Sequence, residues 1–395
     1  MKICVFTDSF FPYISGVTTS IANRVNELAS RGHEISIFRP RPSSEDQKEM
    51  EKDLHEAIQV FDLTPSLPRR SIPDLDIVIP TFLPALKIAR RQGPQLIHIE
   101  TQWGVGWQGC ITAKVLRVPL VGSFHTFWAD PEYLKYFPFP AGKLTTRIMW
   151  KYTIFFFNRC TKVLCPSGVM KQQLMHHGLR SQPKVLRNSI QLPDIPSKEE
   201  IGRLRHGHQL DKGPHFIFIG RISHEKSLDV ALQAFATIAD DYPETNFVLI
   251  GTGNAVEPLK QQAMDLGIRE KIVFLGQVPN ARLIDQGLPC MGDVFLTAST
   301  TENQPVSILE AMSFGLPIIG PAARGIPELV RHKETGLLFE PHDPEDLGQK
   351  MRYIIDNPGE RENFSQNALN EASRYSVEST ADKIEQIYSA LIDET

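Results

Sequence analysis

The sequence predicts an α/β protein with two parallel sheets, each in its own domain. Strand-like and helix-like segments alternate over the first 40 residues, and the same order begins again at His215. Such alternation is typical of parallel sheets with helices on both faces. A chain of 395 residues is too long for one ordinary core and fits two domains of usual size.

The N-terminal half opens with a strand predicted at residues 3–7, followed by apolar residues at helical spacing over 21–28. Gly32 suits the end of that helix, and residues 34–38 resume a strand. The second half repeats this order, with strands predicted at 216–219 and 247–250 and a helix at 228–238. We therefore expect two similar domains.

Prolines and a charged run at 198–200 interrupt the apolar pattern, and we place the domain boundary near Leu192. The expected domains are 1–192 and 193–375. A last helix is predicted at 381–391, within the segment 376–395, and is compatible with packing on either domain, including the N-terminal one.

Composition and motifs exclude several classes of protein. With 41% hydrophobic and 22% charged residues the chain is typical of globular proteins. The five cysteines form no C-x-x-C pair, which favours reduced thiols in a cytoplasmic protein. The start has no leader-like apolar region, and no run of 18 apolar residues follows, so neither export nor a membrane span is expected.

Neither half has a complete G-x-G-x-x-G, since Gly251 and Gly253 are followed by Val256 where the third glycine belongs. An NAD enzyme is therefore not expected. No cluster has metal-ligand spacing and no G-x-S-x-G is present, so we expect no bound metal and no cofactor.

Two glutamates at residues 302 and 310 flank a predicted junction of loop and helix, the most informative segment for function. Glu302 in the loop can accept hydrogen bonds from hydroxyls, backbone N–H groups at the helix start can face an anion, and Glu310 can accept two vicinal hydroxyls. A sugar offers such hydroxyls, a diphosphate is such an anion, and a ribose has two vicinal hydroxyls. The alternative is a capping box formed by Ser307 and Glu310.

Polar residues follow other predicted strands, where parallel sheets bind ligands. Arg221 and Lys226 lie after the strand at 216–219, and two cations suit a diphosphate leaving group. Gly16 opens a helix and lets backbone N–H groups approach a phosphate, or is an ordinary turn glycine. His125 can hydrogen-bond a sugar hydroxyl, or its carbonyl can stabilise positive charge, whereas His98 is equally compatible with a plain cleft wall.

The 61 residues separating Glu132 from Asp194 contain no Asp or Glu and ten basic residues. Aromatic residues are mixed with the basic ones, including Phe137, Phe139 and Trp150. This mixture suits a surface that lies on anionic lipid. The alternative is a buried helix at 154–157 whose lysines only solvate its outer side. The basic residues are Lys135, Lys143, Arg147, Lys151, Arg159, Lys162, Lys171, Arg180, Lys184 and Arg187.

Taken together, these residues resemble family 4 of the retaining GT-B glycosyltransferases over nearly the whole chain. Glu302 and Glu310 match the E-x7-E of that family. The resemblance implies two Rossmann-like domains facing a cleft, an N-terminal domain for the acceptor and a C-terminal domain for a nucleotide sugar. Further matching motifs are Pro166-Ser167, Gly251-Thr252-Gly253, Gly276, Glu310-Ala311-Met312, Gly315-Leu316-Pro317 and Thr335-Gly336-Leu337-Leu338.

The resemblance also implies roles for individual residues. Catalytic roles fall on His125, Glu302, Arg221 and Lys226. Donor binding falls on Gly16, Arg221, Lys226, Glu302, Val306, Ser307 and Glu310. This chain departs from the commonest pattern at Asn303-Gln304-Pro305, which usually contains a glycine, and at Asn188-Ser189, where many members have Asn-Gly. Contacts to the sugar and the shape of the second loop are expected to differ accordingly.

The first 40 residues look most like members that glycosylate lipids, including glucosyl-, sulfoquinovosyl- and mannosyltransferases. We therefore expect transfer of a sugar from a UDP- or GDP-sugar to a lipid or lipid-like acceptor, without nucleic acid as a partner. The expected location is the cytoplasm, with peripheral association at an anionic inner membrane face. The alternatives are transfer to a soluble sugar and, because of the altered turn at 303–305, a nucleotide-sugar-binding protein without transfer activity.

Overall fold

A computed structural model describes residues 1–395 except 12–15, 43–53, 64–65, 68–76, 79–80, 135–139, 141 and 395. The chain forms two compact units. Unit 1 contains Met1–Ser189 and Val377–Thr395, and unit 2 contains Ile190–Ser376. The chain passes from unit 1 to unit 2 after Ser189.

Unit 1 is built on a parallel sheet. Its described strands are β1 (Lys2–Phe6), β2 (Glu34–Pro40), β3 (Ile58–Leu63), β4 (Ser66–Leu67), β5 (Ile77–Val78), β6 (Leu96–Ile99), β7 (Leu120–Ser123), β8 (Lys162–Cys165) and β9 (Lys184–Val185). Its described helices are α1 (Gly16–Ser30), α2 (Leu83–Gln92), α3 (Gly104–Leu116), α4 (Pro131–Leu134), α5 (Lys143–Phe157) and α6 (Gly168–His176). Within the described residues, seven strands pair in the order β3-β2-β1-β6-β7-β8-β9.

Unit 2 has a second parallel sheet of the same kind. Its strands are β10 (Phe216–Ile219), β11 (Phe247–Ile250), β12 (Ile272–Gly276), β13 (Val294–Leu296), β14 (Ile318–Pro321) and β15 (Gly336–Phe339). Its helices are α7 (Lys198–Gly207), α8 (Leu228–Ala236), α9 (Val256–Asp265), α10 (Asn280–Asp285), α11 (Val306–Ser313), α12 (Ile326–Leu329), α13 (Pro344–Asp356) and α14 (Pro358–Ala372). The described strands pair in the order β12-β11-β10-β13-β14-β15.

Short apolar runs form these strands because both faces of each sheet are covered. β10 reads Phe-Ile-Phe-Ile and every residue of it is buried. In unit 1 the rings of Phe6 and Phe38 stack with centroids 4.3 Å apart on neighbouring strands. Each fully buried aromatic or aliphatic side chain contributes about 2 kcal/mol through removal of apolar area from water.

The last helix, α15 (Val377–Asp393), follows unit 2 in the chain but packs on unit 1. Its apolar face, including Ile384 and Tyr388, is buried in the core that also holds α1. On the polar side, Arg31 contacts Asp382 at 2.6 Å and Glu385 at 2.7 Å. Burial and ion pairs together attach this helix to the N-terminal unit.

Two of the predicted helices, α1 and α15, are longer than the apolar patterns that predict them, whereas α8 ends at Ala236 rather than at residue 238. α1 begins at Gly16 rather than residue 21, and α15 extends beyond 381–391 at both ends. Polar first and last turns do not contribute to an apolar repeat, which explains the difference. None of the described helices combines the length and the apolar character needed to cross a bilayer.

The motif Gly251-Thr252-Gly253 is explained by close backbone packing. A Cβ atom on Gly251 would lie 1.8 Å from the carbonyl oxygen of Gly220, and one on Gly253 would lie 2.1 Å from that of Ile222. Gly251 also has a φ of 143°, which favours glycine. These glycines allow the loops after β10 and β11 to lie against each other.

We predict that Gly251→Ala destabilises unit 2 by about 2 kcal/mol or more, because the backbone of two loops must separate. Gly202→Ala is the matched control, since nothing lies within 4 Å of its added Cβ in the exposed middle of α7. That change should raise stability by about 0.5–1 kcal/mol. Calorimetry of both variants measures the effect. Equal melting temperatures for the two would contradict this account of the motif.

Candidate active site

Three loops at one edge of the unit 2 sheet carry most of the predicted site residues. Arg221 and Lys226 follow β10, Glu302 follows β13, and the segment ending at Gly325 follows β14. β13 pairs in parallel with both β10 and β14. The carboxyl ends of neighbouring parallel strands share one edge of a sheet, so these loops are adjacent.

Lys226 and Glu302 form an ion pair through Nζ and Oε1. Lys226 ends a single 3-10 turn at His224–Lys226, and both side chains are about one-fifth exposed, at 21% and 20%. The sequence predicts that both residues belong to one site but does not predict this ion pair. The structure places the two side chains in contact. A partly exposed pair of this kind contributes about 0–1 kcal/mol, so an anionic ligand can displace the carboxylate from the lysine.

Glu225 links the loop after β10 to the loop after β13. Its Oε1 lies 3.7 Å from Nε of Arg221, and its backbone carbonyl accepts a hydrogen bond of 3.1 Å from Oγ of Ser299. Burial would raise the pKa of the Glu225 carboxyl, but the Ser223 hydroxyl and the charges of Arg221 and Lys226 hold it below its ordinary value. The Glu225 carboxylate is therefore ionised beside Arg221.

Helix α11 begins at Val306 with Pro305 as its N-cap, and the side chain of this proline makes no capping hydrogen bond. Ser307 consequently lies inside the first turn, so the capping box of Ser307 and Glu310 is wrong. A capping box does occur in this unit at Ser197 and Glu200, before α7. The first-turn backbone N–H groups of α11 have no intrahelical acceptor, and the N-cap proline provides none. They suit an anion.

Asn303 and Gln304, which replace the usual glycine, are both buried, at 7% and 5% exposure. Oδ1 of Asn303 has no hydrogen-bond partner among the described residues. The backbone here is fixed by Gly325, whose N–H donates to the Glu302 carbonyl at 3.1 Å and whose added Cβ would lie 1.6 Å from the Asn303 carbonyl oxygen. Gly325 is a part of the site that sequence reasoning missed, although a glycine after a strand was a usable signal.

In unit 1, His125 lies just beyond β7 and contacts a buried carboxylate. Its Nε2 is 2.8 Å from Oε2 of Glu100, and Nδ1 has no hydrogen-bond partner among the described residues. Glu100 is wholly buried and forms an ion pair with Arg24 on α1. Burial would raise the pKa of the Glu100 carboxyl, but the charge of Arg24 and the hydrogen bond from His125 hold it well below its usual range. Sequence reasoning missed both Glu100 and Arg24.

His98 is an interior residue, so its interpretation as a cleft-wall residue is wrong. Its ring is fully buried, with Nδ1 at 2.5 Å from the Tyr388 hydroxyl and Nε2 at 2.7 Å from Oγ of Ser123. Burial lowers the pKa of His98 to about 3. The imidazole is therefore neutral at physiological pH.

Gly16, the remaining predicted donor contact, is the exposed first residue of α1. Residues 12–15 of its loop lie outside the described residues. Gly16 and His125 belong to unit 1, whereas the other predicted site residues belong to unit 2. Within the described ranges, no group of three His, Cys, Asp or Glu side chains is placed to hold a metal ion.

Helix α5 combines both interpretations of the basic stretch. One face, including Met149, Ile154 and Phe157, is buried. The other exposes Leu144, Ile148 and Phe155 at 72%, 57% and 54%. The exposed basic residues beside them are Lys143, Arg147, Lys151 and, just beyond the helix, Arg159. We call these seven residues the α5 face.

Not every residue of the predicted basic surface lies on this face. Lys162 belongs to strand β8, and its Nζ lies 3.5 Å from the carbonyl of Gln182. Lys135, Phe137 and Phe139 lie outside the described residues. The guanidinium of Arg159 stacks over the Phe155 ring at 3.6 Å, which joins charge and apolar surface at one end of the α5 face.

Comparison with known proteins agrees with this architecture. Residues 14–192 match the family model described as Glycosyltransferase Family 4, and residues 202–371 match the model described as Glycosyl transferases group 1. The crystal structure of Alr3699/HepE from Anabaena in complex with UDP has a TM-score of 0.81 at 22% identity, covering 99% of this chain and 100% of that one. The chain is a GT-B glycosyltransferase.

Full-length relatives of this hexosyltransferase include enzymes named for glycolipids. Alpha-monoglucosyldiacylglycerol synthase of Streptococcus pneumoniae is 29% identical, covering 94% of this chain and 82% of the relative. The enzyme of the same name from Acholeplasma laidlawii is 28% identical, covering 100% and 98%. GDP-mannose-dependent alpha-mannosyltransferase of Mycolicibacterium smegmatis is 26% identical, covering 86% and 84%.

The buried His98 predicts that unit 1 loses stability in acid. An unfolded histidine takes up a proton below about pH 6.5, whereas folded His98 stays neutral down to about 3. The unfolded state then binds more protons, so stability falls as pH falls through this window, by about 1.4 kcal/mol per pH unit. His98→Gln should reduce this slope. Denaturant unfolding followed by tryptophan fluorescence reports unit 1, since all four tryptophans lie there.

His215→Gln is the control, because burial also lowers the pKa of that histidine but it belongs to unit 2. It should leave the acid dependence of the tryptophan transition unchanged. Identical slopes for wild type and His98→Gln would contradict the assignment of a neutral buried imidazole.

Proposed function

We propose that this enzyme transfers a sugar from a UDP- or GDP-sugar to a lipid or lipid-like acceptor, with retention of the anomeric configuration. One observation carries the proposal. Arg221, Lys226, Glu302 and the start of α11 occupy neighbouring loops at the carboxyl edge of one sheet. This arrangement suits a ligand that is at once an anion and a polyol.

The diphosphate of the donor would bind Arg221 and Lys226. Both cations lie within one short segment after β10, and each is close to a glutamate side chain, that of Glu225 or Glu302. The diphosphate would displace Glu302 from Lys226 and free that carboxylate for the sugar hydroxyls. First-turn N–H groups at Val306 and Ser307 would bind further anionic oxygen atoms, and Glu310 would accept the ribose hydroxyls.

Front-face transfer is the route that these residues favour. The bond joining the anomeric carbon to the diphosphate oxygen breaks, and the acceptor oxygen bonds to that carbon on the same face. The acceptor proton passes to the departing diphosphate, whose charge Arg221 and Lys226 stabilise. Glu100 is wholly buried and paired with Arg24, which argues against this carboxylate as a covalent nucleophile. The carbonyl or imidazole of His125 would stabilise positive charge on the sugar.

We propose further that transfer requires no metal or other cofactor. Two cationic side chains can offset the diphosphate charge that Mg²⁺ neutralises in many phosphoryl-transfer sites. Both side chains already lie at the predicted diphosphate site of unit 2.

A lipid acceptor is supported by the names of relatives and by the α5 face. Two of the relatives are glucosyldiacylglycerol synthases. The α5 face presents cations beside apolar side chains, a combination that attracts anionic headgroups and inserts into the interface. We infer peripheral binding at an anionic, cytoplasmic membrane surface through this face.

We predict that Lys226→Ala lowers kcat about 10²–10³-fold, because a cation that stabilises the departing diphosphate is lost. Glu302→Gln should lower kcat and weaken donor binding together. Transfer to diacylglycerol is measured with UDP- and GDP-sugars after thermal shift has identified the nucleotide that stabilises the protein. The same reactions with a chelator should proceed at unchanged rates.

Lys260→Ala is the matched control, because Lys260 also pairs with a glutamate, Glu257, at 2.8 Å, but on helix α9. Its activity should equal that of wild type. If folded Lys226→Ala and Glu302→Gln variants transfer sugar at wild-type rates, the site assignment is wrong. Loss of activity with chelator would overturn the metal-free proposal alone.

We predict that the protein co-sediments with vesicles containing anionic lipid at low salt and is released at high salt, since salt screens charge over about 8 Å at physiological strength. Changing the four basic residues of the α5 face to serine should weaken the free energy of membrane binding by about 1 kcal/mol per residue. The membrane partition coefficient should then fall roughly 10³-fold. These residues are Lys143, Arg147, Lys151 and Arg159.

A control variant changes four exposed basic residues on helices α2 and α3, Lys87, Arg90, Arg91 and Lys114. Its net charge equals that of the α5 variant, so equal loss of binding in both would indicate a general charge effect. Equal binding of wild type to neutral vesicles, or binding to neither kind, would reject the membrane surface and favour a soluble sugar acceptor.

A further inference from the structure

A buried polar network surrounds His125 in unit 1. Its members come from four parts of the chain: Arg24 on α1, His98 and Glu100 at β6, Ser123 at the end of β7, and Tyr388 on α15. Each of these five residues is at least 95% buried. Burying a polar group without a hydrogen-bond partner costs free energy. Any buried polar atom of this network that lacks a partner therefore needs an explanation.

Glu100 is the centre of the network, and both of its oxygen atoms are engaged. Oε1 contacts Arg24 and lies 3.4 Å from Nδ1 of His98, and Oε2 lies 2.8 Å from Nε2 of His125. Arg24 can only donate hydrogen bonds, and an ionised carboxylate can only accept them. The proton on the His125 ring must therefore be on Nε2.

That arrangement leaves Nδ1 of His125 as the ring atom available to a ligand. Nδ1 is buried and has no hydrogen-bond partner within the part of the chain that the structure describes. An orphaned buried polar atom beside fully satisfied neighbours indicates a missing partner. Arg24 offsets the charge of Glu100, so the carboxylate orients the ring without adding an uncompensated negative charge.

The C-terminal helix completes the network. The Tyr388 hydroxyl lies 2.5 Å from Nδ1 of His98, and Nε2 of His98 lies 2.7 Å from Oγ of Ser123. The rings of His98 and Tyr388 meet edge to face, with their centroids 5.8 Å apart. His98 is thus fixed at both nitrogen atoms, and its Nδ1 also lies 3.4 Å from Oε1 of Glu100.

We propose that Glu100 is a positioning residue that holds the His125 imidazole with Nε2 protonated and Nδ1 presented to the sugar substrate, and that Arg24, His98 and Tyr388 keep Glu100 in place. The meeting of Nδ1 with a substrate rests on the proposed function. The orientation and the proton position of the ring do not.

The first test measures the ring proton without any transfer reaction. Protein labelled with ¹⁵N at histidine is examined by long-range ¹H–¹⁵N correlation at about pH 8, where a free imidazole is neutral. The His125 signal is identified by its loss in His125→Gln. The proposal expects a ring protonated at Nε2 in wild type. A ring protonated at Nδ1 would overturn it.

Glu100→Gln should invert this state. The side-chain oxygen of glutamine must face Arg24, which only donates, so its NH₂ group faces His125. Nε2 must then accept, and the ring proton moves to Nδ1. Asp62→Asn is the matched control, because Asp62 pairs with the buried Arg39 at 2.9 Å outside this network. It should leave the His125 signal unchanged. An unchanged signal in Glu100→Gln would also overturn the proposal.

The second test separates positioning from general stability with a double-mutant cycle, using UDP-glucose and diacylglycerol vesicles. Glu100→Gln should lower kcat roughly 10²-fold, because loss of one preorganised polar contact to the transition state typically costs about that much. It should not change the thermal shift produced by UDP. In a His125→Gln background, Glu100→Gln should cause no further decrease in kcat. Additive losses would show that Glu100 acts independently of His125 and would reject the proposal.

Tyr388→Phe tests the contribution of the C-terminal helix. It should broaden or shift the His125 signal. Tyr375→Phe is the matched control, because the buried Tyr375 hydroxyl donates a hydrogen bond of 3.1 Å to Glu371 in unit 2, and its loss should leave the His125 signal unchanged. Equal effects of both changes would remove Tyr388 from the network. If wild type transfers no sugar from any donor, the proposed function fails, and the ¹⁵N measurement still decides the position of the ring proton.

Discussion

The parallel direction of neighbouring strands is the constraint on which both candidate sites depend. In unit 2, β13 pairs with β10 and β14, so the segments carrying Lys226, Glu302 and Gly325 emerge at the same edge. In unit 1, β6 and β7 pair in the same way, and Glu100 and His125 follow their ends. An antiparallel pairing of these strands would place the residues of each pair at opposite edges of the sheet. Hydrogen bonding within the sheets therefore decides which side chains can meet.

Much of this arrangement could be predicted from the sequence, because strong apolar periodicity determines where strands begin and end. β10 and β11 have the predicted bounds, and the fold class is confirmed. Capping was harder to predict. The S-x-x-E pattern at Ser307 fits a cap in sequence, but Pro305 already starts the helix, so the serine lies inside it. The catalytic roles of Arg221 and His125 stay predictions.

Long-range polar contacts could not be predicted, because no local pattern encodes them. Arg24 and Glu100 are 76 residues apart, and His98 and Tyr388 are 290 apart. Each of these residues is unremarkable in its own segment, where a helical arginine or tyrosine usually faces solvent or packs in a core. The α5 segment was ambiguous for another reason. A helix that buries one face and exposes apolar side chains on the other satisfies both interpretations of the same residues.

The return of α15 to unit 1 has a consequence for the order of folding during synthesis. Unit 2 is one continuous stretch, Ile190–Ser376, closed by a β-bridge joining Ile190 to Ser376. It can form its core as soon as it has left the ribosome. Unit 1 is made first but contains an unfilled groove over α1 until residues 377–393 arrive. The first unit to be synthesised is therefore the last to be finished, and its apolar groove is exposed to chaperones throughout that interval.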